Sequence, residues 1–442
     1  MRSINLFFIL LAIIFLTACT ERQQLPLNQL EVKMNEIAEN YVKLVLEIGS
    51  YKDDYIDAYY GPEKFKPNSS NIKEIDSVLI NSFNNRTDVL LNDLEALKDY
   101  QATEIEVSRF RFLSKQLLSV KGIIFQISGG KFQFDQEARI LYDAEPPKFR
   151  NNHFETIINM LDSLLPGNSN VRERITQLKD NFIIPPNKLD KVFTAAINEC
   201  RKRTLQHMQL PTNENFKVEY VKNKSWGGYN WYKGNSYSLI QVNTDLPVYI
   251  DRAIDLAAHE GYPGHHVYNT LLENNLVKKR GWVEYSVYPL FSPISLIAEG
   301  TANYGIDVAF PGNDRIEFEK DVLFPIAGLD AKNADLYYEV LSLTEELSYA
   351  GNEAARNFLD GVWTREESVK YLQKYNLFSK EKAEKRLDFI EQYRSYVINY
   401  NYGKDLVKNY IISKGGTTDN PEKRWNLFQH LLSSPQTPSD LK

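Results

Sequence analysis

Cysteine is scarce in this chain, whose 442 residues contain only Cys19 and Cys200. Two cysteines cannot build a disulfide framework, so the stability of the fold has to come from a hydrophobic core. Cys200 lies in a helical pattern and has no partner within the chain if Cys19 is modified. We therefore expect Cys200 to be a small buried apolar residue.

The chain also lacks an excess of basic residues. It carries 52 lysines and arginines against 58 aspartates and glutamates, which gives a formal net charge of −6. A mildly acidic surface gives no reason to expect a nucleic-acid partner.

Long hydrophobic runs are missing beyond the first residues. Arg2 precedes an apolar run over 6–16, which is too short to span a bilayer comfortably and is followed by Cys19. This pattern is typical of a bacterial lipoprotein signal peptide over 1–18, with Cys19 as the lipidated first residue; the alternative is an ordinary signal peptide with a chance cysteine. Lipid chains on Cys19 would attach the protein to a membrane of the cell envelope, facing the periplasm or the surface.

Removal of such a signal would leave 442 − 18 = 424 residues, enough for one large or two medium domains. We expect a tether over 19–27 and an N-terminal helical region over 28–212. A catalytic region over 213–432 and a flexible tail over 433–442 would follow.

Apolar residues recur at helical spacing through most of the chain, so the predicted fold is mainly α. Possible capping boxes begin at Thr103 and Thr364. The predicted helices cover Leu30 to Ile48, Ile72 to Leu97, Thr103 to Ile127, Asn152 to Leu165, Leu189 to Met208, Ser292 to Phe310, Asp314 to Leu323, Asn333 to Ala350, Glu366 to Tyr375 and Glu381 to Asn399.

The pattern changes to β near residue 215. Phe216 to Tyr220 alternates like a strand, and 226–243 is rich in aromatic and β-branched residues, with a hairpin turn predicted at Lys233-Gly234-Asn235. Its last strand, 239–243, could offer an edge to an extended peptide. Trp226, Tyr229 and Trp231 could line a cleft, but aromatic hairpins more often pack on a core. A helix predicted from about Pro247 would carry His259.

Histidine is rare as well, yet three of the six histidines fall between His259 and His266, next to Glu260. In the common zinc-hydrolase motif, two histidines one helical turn apart bind the metal and a glutamate between them acts on its water. Here the second histidine is at i+6 or i+7. An unbroken helix places i+6 on another face and i+7 about 10.5 Å along the axis, too far for one metal ion.

Pro263 and Gly264 can remove this conflict, because proline breaks helical hydrogen bonding and glycine permits unusual dihedral angles. A two-residue bulge there would bring His265 to the position of a ligand at i+4. We therefore prefer His265 over His266 as the second ligand. His266 would then support the ligands or donate to the reacting oxygen.

A catalytic zinc site needs a third protein ligand and one open position. Glu299 is the best candidate, since it lies 299 − 259 = 40 residues after His259 in a helical pattern. Asn303 and Asp307 follow on the same helix, and either could accept a hydrogen bond from a ligand histidine and fix its tautomer.

The roles of these residues follow from zinc chemistry. Zinc lowers the pKa of a bound water and polarises a scissile carbonyl, and Glu260 would take the water's proton and pass it to the leaving amine. The developing oxyanion needs a donor. Tyr400, His266 and Tyr304 are the candidates.

Three stretches resemble a bacterial family known as domain of unknown function eight-eight-five, whose members are often lipoproteins grouped with the zincin-like metallopeptidases. The stretches are 259–266 (HEGYPGHH), 299–304 (EGTANY) and 399–403 (NYNYG). Thr301 and Asn303 stand where the family has tryptophan and leucine, Val267-Tyr268 stands where it often has Leu-Gln, and the chain is short for the family.

The resemblance implies a mainly α, zincin-like metallopeptidase fold with a small β hairpin or sheet beside the active-site helix. It also implies bound zinc and a ligand set matching His259, His265 and Glu299. The departures bear on substrate preference more than on the metal.

Three functions remain open: a peptidase acting outside the cytoplasm, a zinc hydrolase of another amide or ester, and a non-catalytic lipoprotein that binds a metal or ligand. Glu260 speaks against the third function, because a storage site gains nothing from a base placed beside the metal. The sequence leaves the peptide substrate, exo- or endo-cleavage and the oligomeric state undetermined.

Overall fold

A computed structural model describes residues 27–68, 75–100, 103–224 and 226–442. The predicted signal peptide, Cys19 and all but the last residue of the tether lie outside these ranges. The described residues form a mainly helical fold with two small sheets. The mainly α prediction is therefore confirmed.

The helices of the first half pack around a shared apolar core. They are α1 (Leu27–Gly49), α2 (Ser77–Glu95), α3 (Glu104–Ile127), α4 (Phe134–Tyr142), α5 (Asn151–Leu164), α6 (Val171–Lys179) and α7 (Leu189–Leu205). Both predicted capping boxes are present, at Thr103 with Glu106 and at Thr364 with Glu367. Cys200 is fully buried in α7, as expected.

The histidine-rich segment joins the first two helices of the second half of the chain. The helices of this half are α8 (Asp251–Leu256), α9 (His265–Leu272), α10 (Pro293–Ala309), α11 (Asp314–Phe318), α12 (Phe324–Ala327), α13 (Ala334–Glu346), α14 (Ser348–Leu359), α15 (Arg365–Tyr375), α16 (Lys380–Tyr393), α17 (Ile398–Ser413) and α18 (Pro421–Ser433).

Several predicted helix bounds are wrong. The second helix begins at Ser77, where the Asp76 side chain caps it, and not at residue 72. The helix predicted from Pro247 begins at Asp251. The helix predicted over 333–350 is interrupted at Leu347, and the one predicted over 381–399 ends at Tyr393, because Arg394 has a positive φ of 52°. Periodicity alone does not detect a break of one residue.

Five strands build the two sheets: β1 (Ile56–Tyr59), β2 (Asn215–Val221), β3 (Gly228–Tyr232), β4 (Tyr237–Asn243) and β5 (Val287–Pro289). The predicted hairpin is present, and its turn at Gly234 and Asn235 has positive φ angles of 78° and 54°. In the larger sheet β4 lies between β2 and β3, with β2 parallel to it. The expectation that 239–243 offers a free edge is therefore wrong, because both edges of β4 are paired; β3 is an edge strand instead.

The two predicted regions are joined by β structure and by a common core. β1, from the N-terminal region, pairs antiparallel with β5, which precedes α10. This pairing brings the loop around β1 next to the helix that carries Glu299. The boundary expected near 212 is therefore crossed by direct strand pairing.

The end of the chain differs from the flexible tail that was expected over 433–442. Thr437 caps a short 3₁₀ turn from Pro438 to Leu441, and Leu441 is buried. The backbone N–H of Ser439 donates to Asp143 at 3.0 Å. Pro438, one of the two prolines that suggested fraying, instead begins the turn that packs on α17 and α10.

Among the described residues, none of the helices combines the length and the apolar character that crossing a bilayer requires.

Candidate metal centre

The histidine-rich segment is not a regular helix. After α8 the backbone widens into a π-helical turn over Ala257–Gly261, the Tyr262–Pro263 peptide bond is cis, and α9 begins at His265. Gly264 lies against the preceding turn, where an added Cβ would be 1.9 Å from the carbonyl oxygen of His259. The break predicted at Pro263 and Gly264 is present, and only glycine fits at its closest point.

This break brings the first two predicted ligands together. The Nε2 atoms of His259 and His265 lie 3.2 Å apart, with the two rings perpendicular. Two nitrogens bound to one tetrahedral zinc at about 2.0–2.1 Å lie about 3.3 Å from each other. The separation of the two imidazoles therefore matches that of two ligands of one ion.

Glu299 completes the group from α10. Its Oε2 lies 3.3 Å from Nε2 of His259 and 3.7 Å from Nε2 of His265. Oε2 is buried and has no hydrogen-bond partner among the described residues, whereas Oε1 accepts a bond of 2.7 Å from the hydroxyl of Tyr396. A buried carboxylate oxygen without a partner is costly, and a cation between the three atoms would satisfy it. We call His259, His265 and Glu299 the His–Glu cluster.

The cluster changes the proton affinity of its own members. Burial lowers the pKa of His259, but the carboxylates of Glu260 and Glu299 outweigh it and raise this pKa to about 9. Burial likewise raises the pKa of Glu299, but the two histidines outweigh it and hold this pKa well below its usual range. The cluster therefore holds an anionic carboxylate that attracts a positive charge.

One of the two predicted supporting residues contacts the cluster. The Oδ1 of Asn303 lies 2.9 Å from Nδ1 of His259, so the amide oxygen can accept that N–H and leave Nε2 free to bind a metal. Asp307 does not accept a hydrogen bond from His259. It is half exposed and pairs with Lys404 at 3.3 Å, because one further turn along α10 points it away from the cluster.

Glu260 lies beside the cluster in the π-helical turn, and its charge acts on His259. The backbone oxygen of Glu260 accepts a bond of 2.6 Å from the Asn230 side chain on β3. Its carboxylate accepts no hydrogen bond from the described residues and faces Gly228, where an added Cβ would be 3.1 Å from Oε1. The strand leaves this carboxylate free because residue 228 has no side chain.

His266 lies in a different place from the one considered for it. It is fully buried, its Nδ1 is 2.8 Å from Oγ of Ser238 and its Nε2 is 3.1 Å from Oε2 of Glu214. The Tyr262 hydroxyl donates to the same carboxylate at 2.5 Å. Since both ring nitrogens are engaged behind the sheet, His266 is neither a ligand nor a donor to a reacting oxygen in this structure. It anchors the turn that presents His265.

Of the two remaining candidate oxyanion donors, Tyr400 lies near the cluster and Tyr304 does not. Tyr400, near the start of α17, lies close enough for the charges of Glu299 and Glu260 to act on its hydroxyl, whose pKa is raised first by burial. This hydroxyl has no hydrogen-bond partner among the described residues, and the backbone oxygen of Tyr400 accepts from Asn303 at 2.9 Å. Tyr304 is buried near Asp307 instead, away from the cluster.

Sequence reasoning missed Tyr396 and Asp57. Tyr396 lies one helical turn before Tyr400, so its spacing could have suggested it. Asp57 on β1 accepts a hydrogen bond from Tyr229, and burial raises its pKa to about 6, with smaller effects of His265, Glu299 and Glu260. No local pattern around Asp57 predicts that the β1–β5 pairing brings it to the site.

Gly300 and Gly403 bring two of the motif-bearing helices together. An added Cβ on Gly300 would lie 2.5 Å from the carbonyl oxygen of Gly403. The backbones of α10 and α17 therefore approach closely next to Glu299. This contact positions Tyr396 and Tyr400 over the cluster.

No protein-family model matches the chain, and no curated protein matches it significantly. Among solved structures, the fold is similar to the crystal structure of the "putative lipoprotein from Colwellia psychrerythraea", with a TM-score of 0.51 at 14% sequence identity. The match covers 84% of this chain but only 63% of that chain. At this identity the likeness shows a shared fold and nothing about activity.

Proposed function

We propose that the protein is a zinc-dependent hydrolase of zincin-like fold that cleaves peptides outside the cytoplasm. The observation that carries the proposal is the arrangement of the His–Glu cluster, in which two Nε2 atoms and an unpartnered carboxylate oxygen converge. Two imidazoles and one carboxylate are a common ligand set of catalytic zinc, which leaves a position open.

Zinc, when bound, supplies Lewis acidity towards a water molecule and the substrate carbonyl. Asn303 holds His259 in the tautomer whose Nε2 faces the cluster, and Tyr396 holds Glu299 through its other oxygen. Glu260 lies beside the cluster, and its carboxylate accepts no hydrogen bond from the described residues. It would take a proton from the attacking water and return it to the leaving amine.

The surroundings of Glu260 favour an extended substrate. β3 pairs with β4 on one side only among the described residues, and Asn230 of β3 is bonded to the backbone of Glu260. A peptide that added to this edge would run past the cluster with its main chain held by hydrogen bonds. The Tyr400 hydroxyl is available to donate to the oxyanion that develops on its carbonyl.

A hydrolase of a non-peptide amide or ester would use the same groups, and a non-catalytic metal-binding lipoprotein would use the cluster without Glu260. The second alternative gives no reason for a free carboxylate next to the ligands. The edge of β3 favours a peptide over a small ester.

The proposal includes a lipid anchor on Cys19 after removal of residues 1–18. The sequence around Cys19 supports it, and the similar Colwellia psychrerythraea structure is described as that of a "putative lipoprotein". Acyl chains on Cys19 would hold the protein in the cell envelope.

The test is to purify the protein without residues 1–18, load it with zinc, and compare wild type and Glu260→Gln on a mixed peptide library. We expect the variant to retain zinc and to lose activity by a factor on the order of 10² to 10⁴. Equal cleavage by both proteins would remove Glu260 as the base. A zinc-loaded wild type that cleaves no peptide but hydrolyses small amides or esters would favour the first alternative.

A further inference from the structure

Four basic side chains from three helices form a group that we call the cationic cluster: Lys179 at the end of α6, Arg252 in α8, and Lys382 and Arg386 in α16. The pKa of Lys382 is lowered to about 8, first by desolvation and then by the charges of Lys179, Arg386 and Arg252. Each charge is therefore close enough to act on Lys382. Like charges spaced i,i+4 on one helix face, as Lys382 and Arg386 are, repel each other.

The cationic cluster is poorly neutralised by the protein. Only Arg252 has a carboxylate partner among the described residues, Asp255 at 3.0 Å, and that carboxylate also pairs with Arg315 at 2.8 Å. The other three head groups lie against aromatic rings, Lys179 on Tyr249, Lys382 on Phe378 and Arg386 on Phe389, at 4.7, 4.1 and 5.2 Å from the ring centres. Arg386 donates no hydrogen bond within the described residues. An unpaired, half-buried guanidinium is costly to keep, and an anion would satisfy it.

The cationic cluster borders the metal centre. An added Cβ on Gly227 would lie 3.8 Å from Nη2 of Arg252, and one on the next residue, Gly228, would lie 3.1 Å from Oε1 of Glu260. Gly227 directly precedes β3 and Gly228 is its first residue, and consecutive Cα atoms are about 3.8 Å apart, so Arg252 and the carboxylate of Glu260 both lie close to the start of this strand.

Arg386 of the cationic cluster lies near the metal centre through its position beside Tyr400. Its guanidinium lies on Phe389, whose ring is 6.4 Å from the ring of Tyr400. The charge of Arg386 acts on the Tyr400 hydroxyl, as the charges of Glu299 and Glu260 do. Lys382 keeps part of its side chain exposed although the surrounding helices desolvate its ammonium group, so a ligand can reach the group from solvent.

We propose that the cationic cluster binds a carboxylate of the substrate next to the cleaved bond. This inference rests on the proposed hydrolase function and names its substrate class. The planar fork of Arg386 suits the two oxygens of a carboxylate, and the neighbouring ammonium groups add charge. The carboxylate is either the C-terminal carboxylate of a peptide or an acidic side chain, and the chemistry of recognition is the same.

The test measures binding, so that it does not depend on turnover. Zinc-loaded Glu260→Gln protein is titrated with three acetylated alanine peptides: one with a free C-terminal carboxylate, one with a C-terminal amide, and one amidated peptide with a single glutamate. We expect one or both carboxylate peptides to bind at least about tenfold more tightly than the neutral amide. The peptide that shows the preference identifies the source of the carboxylate.

Arg386→Gln, added to the same protein, should abolish this preference, and Arg386→Lys should keep part of it. Lys385→Gln is the matched control, because Lys385 is an exposed residue of the same helix and pairs with Glu381. It should keep the full preference.

Equal or undetectable binding of all three peptides by the Glu260→Gln protein overturns the proposal, even if Arg386→Gln does not fold. A preference retained in folded Arg386→Gln overturns the role of Arg386. Carboxylate preference without cleavage by wild type would contradict the peptidase and leave the carboxylate site standing. Cleavage by the wild type without any carboxylate preference would support the peptidase and contradict the carboxylate site.

Discussion

At the scale of single residues, His259 is held on both sides of its ring. Its Nδ1 faces the Asn303 side chain at 2.9 Å, and its Nε2 faces His265 and Glu299. The amide oxygen of Asn303 can only accept, so the proton of a neutral His259 belongs on Nδ1. Asn303 thus decides whether Nε2 has a lone pair for a metal.

Asn303→Ala should lower zinc affinity about 10- to 100-fold, because the ring loses the partner that fixes its tautomer and orientation. The measurement is competition for zinc against a chromophoric chelator. Asp307→Ala is the matched control: it lies one turn further along α10, pairs with Lys404 and should leave the affinity unchanged. Equal losses in the two variants would contradict the role of Asn303.

The metal-free protein should lose stability as pH rises from about 6.5 to about 9. The pKa of His259 is raised from 6.5 to about 9 in the folded state, so its stabilising contribution is complete below 6.5 and disappears as pH passes through 9. We expect a loss on the order of 2–3 kcal/mol in the free energy of unfolding.

Urea unfolding of the metal-free protein at several pH values measures this loss, with His259→Gln as the reference. Groups such as Lys382 titrate in both proteins, so the difference between the two curves isolates His259. A difference that stays constant from pH 6.5 to 9 would show that His259 is not the protonated partner of Glu299.

Residue-level reasoning predicted the cluster well and its surroundings poorly. The i+6 spacing, with Pro263 and Gly264 between the histidines, contains enough stereochemistry to predict a break and to prefer His265. The positions of Asp57 and Tyr396 depend on strand pairing and helix packing between distant parts of the chain. Asp307 was a candidate because spacing on a helix does not tell which turn faces the partner.

At the scale of elements, the site depends on how closely α10 and α17 approach. Gly300→Ala would place a Cβ 2.5 Å from the carbonyl oxygen of Gly403, and neither backbone can move without shifting its helix. We expect destabilisation of about 1–3 kcal/mol and weaker zinc binding, because Glu299 is next to Gly300 and Tyr396 precedes α17.

Thermal unfolding and zinc competition test this expectation. Gly351→Ala is the control, since Gly351 lies in the first turn of α14 and an added Cβ there would meet its nearest neighbour, the guanidinium of Arg386, only at 3.8 Å. It should be neutral or stabilise slightly, by up to about 1 kcal/mol. A Gly300→Ala protein as stable as wild type would mean that the two helices can separate at no cost.

Sequence patterns predicted individual elements but not how the elements are arranged. Helical periodicity, capping boxes and the turn at Gly234 predicted most helices and the hairpin. The parallel placement of β2 beside β4 was not predictable, because it depends on a connection through the hairpin and not on local composition. The break at Arg394 lies inside a continuous helical pattern, so periodicity could not reveal that Tyr400 belongs to a new helix.

At the scale of the whole molecule, the proposed lipid anchor predicts that Cys19 binds the protein to a membrane. Cys19→Ala should move the full-length protein from the membrane fraction to the aqueous phase of a detergent partition, because acyl chains would be the main source of membrane affinity. Cys200→Ala is the control, since Cys200 is buried in α7 and should not change the partition. A wild-type protein that partitions into the aqueous phase would contradict a lipid anchor at that residue.

The His–Glu cluster and the residues around it come from distant parts of the chain. His259 and His265 come from the turn after α8, Glu299 from α10, Tyr396 from the 3₁₀ turn before α17, and Asp57 from the N-terminal region. The β1–β5 pairing joins the last of these to the rest. The predicted catalytic region on its own, 213–432, would lack this strand and its carboxylate.

The most direct test of the metal centre is a crystal grown with zinc and measured on both sides of the zinc absorption edge. The anomalous difference map should show one peak bonded to Nε2 of His259, Nε2 of His265 and Oε2 of Glu299, at about 2.0–2.2 Å from each. A map with no peak at this position, or a peak coordinated by His266, would contradict the account.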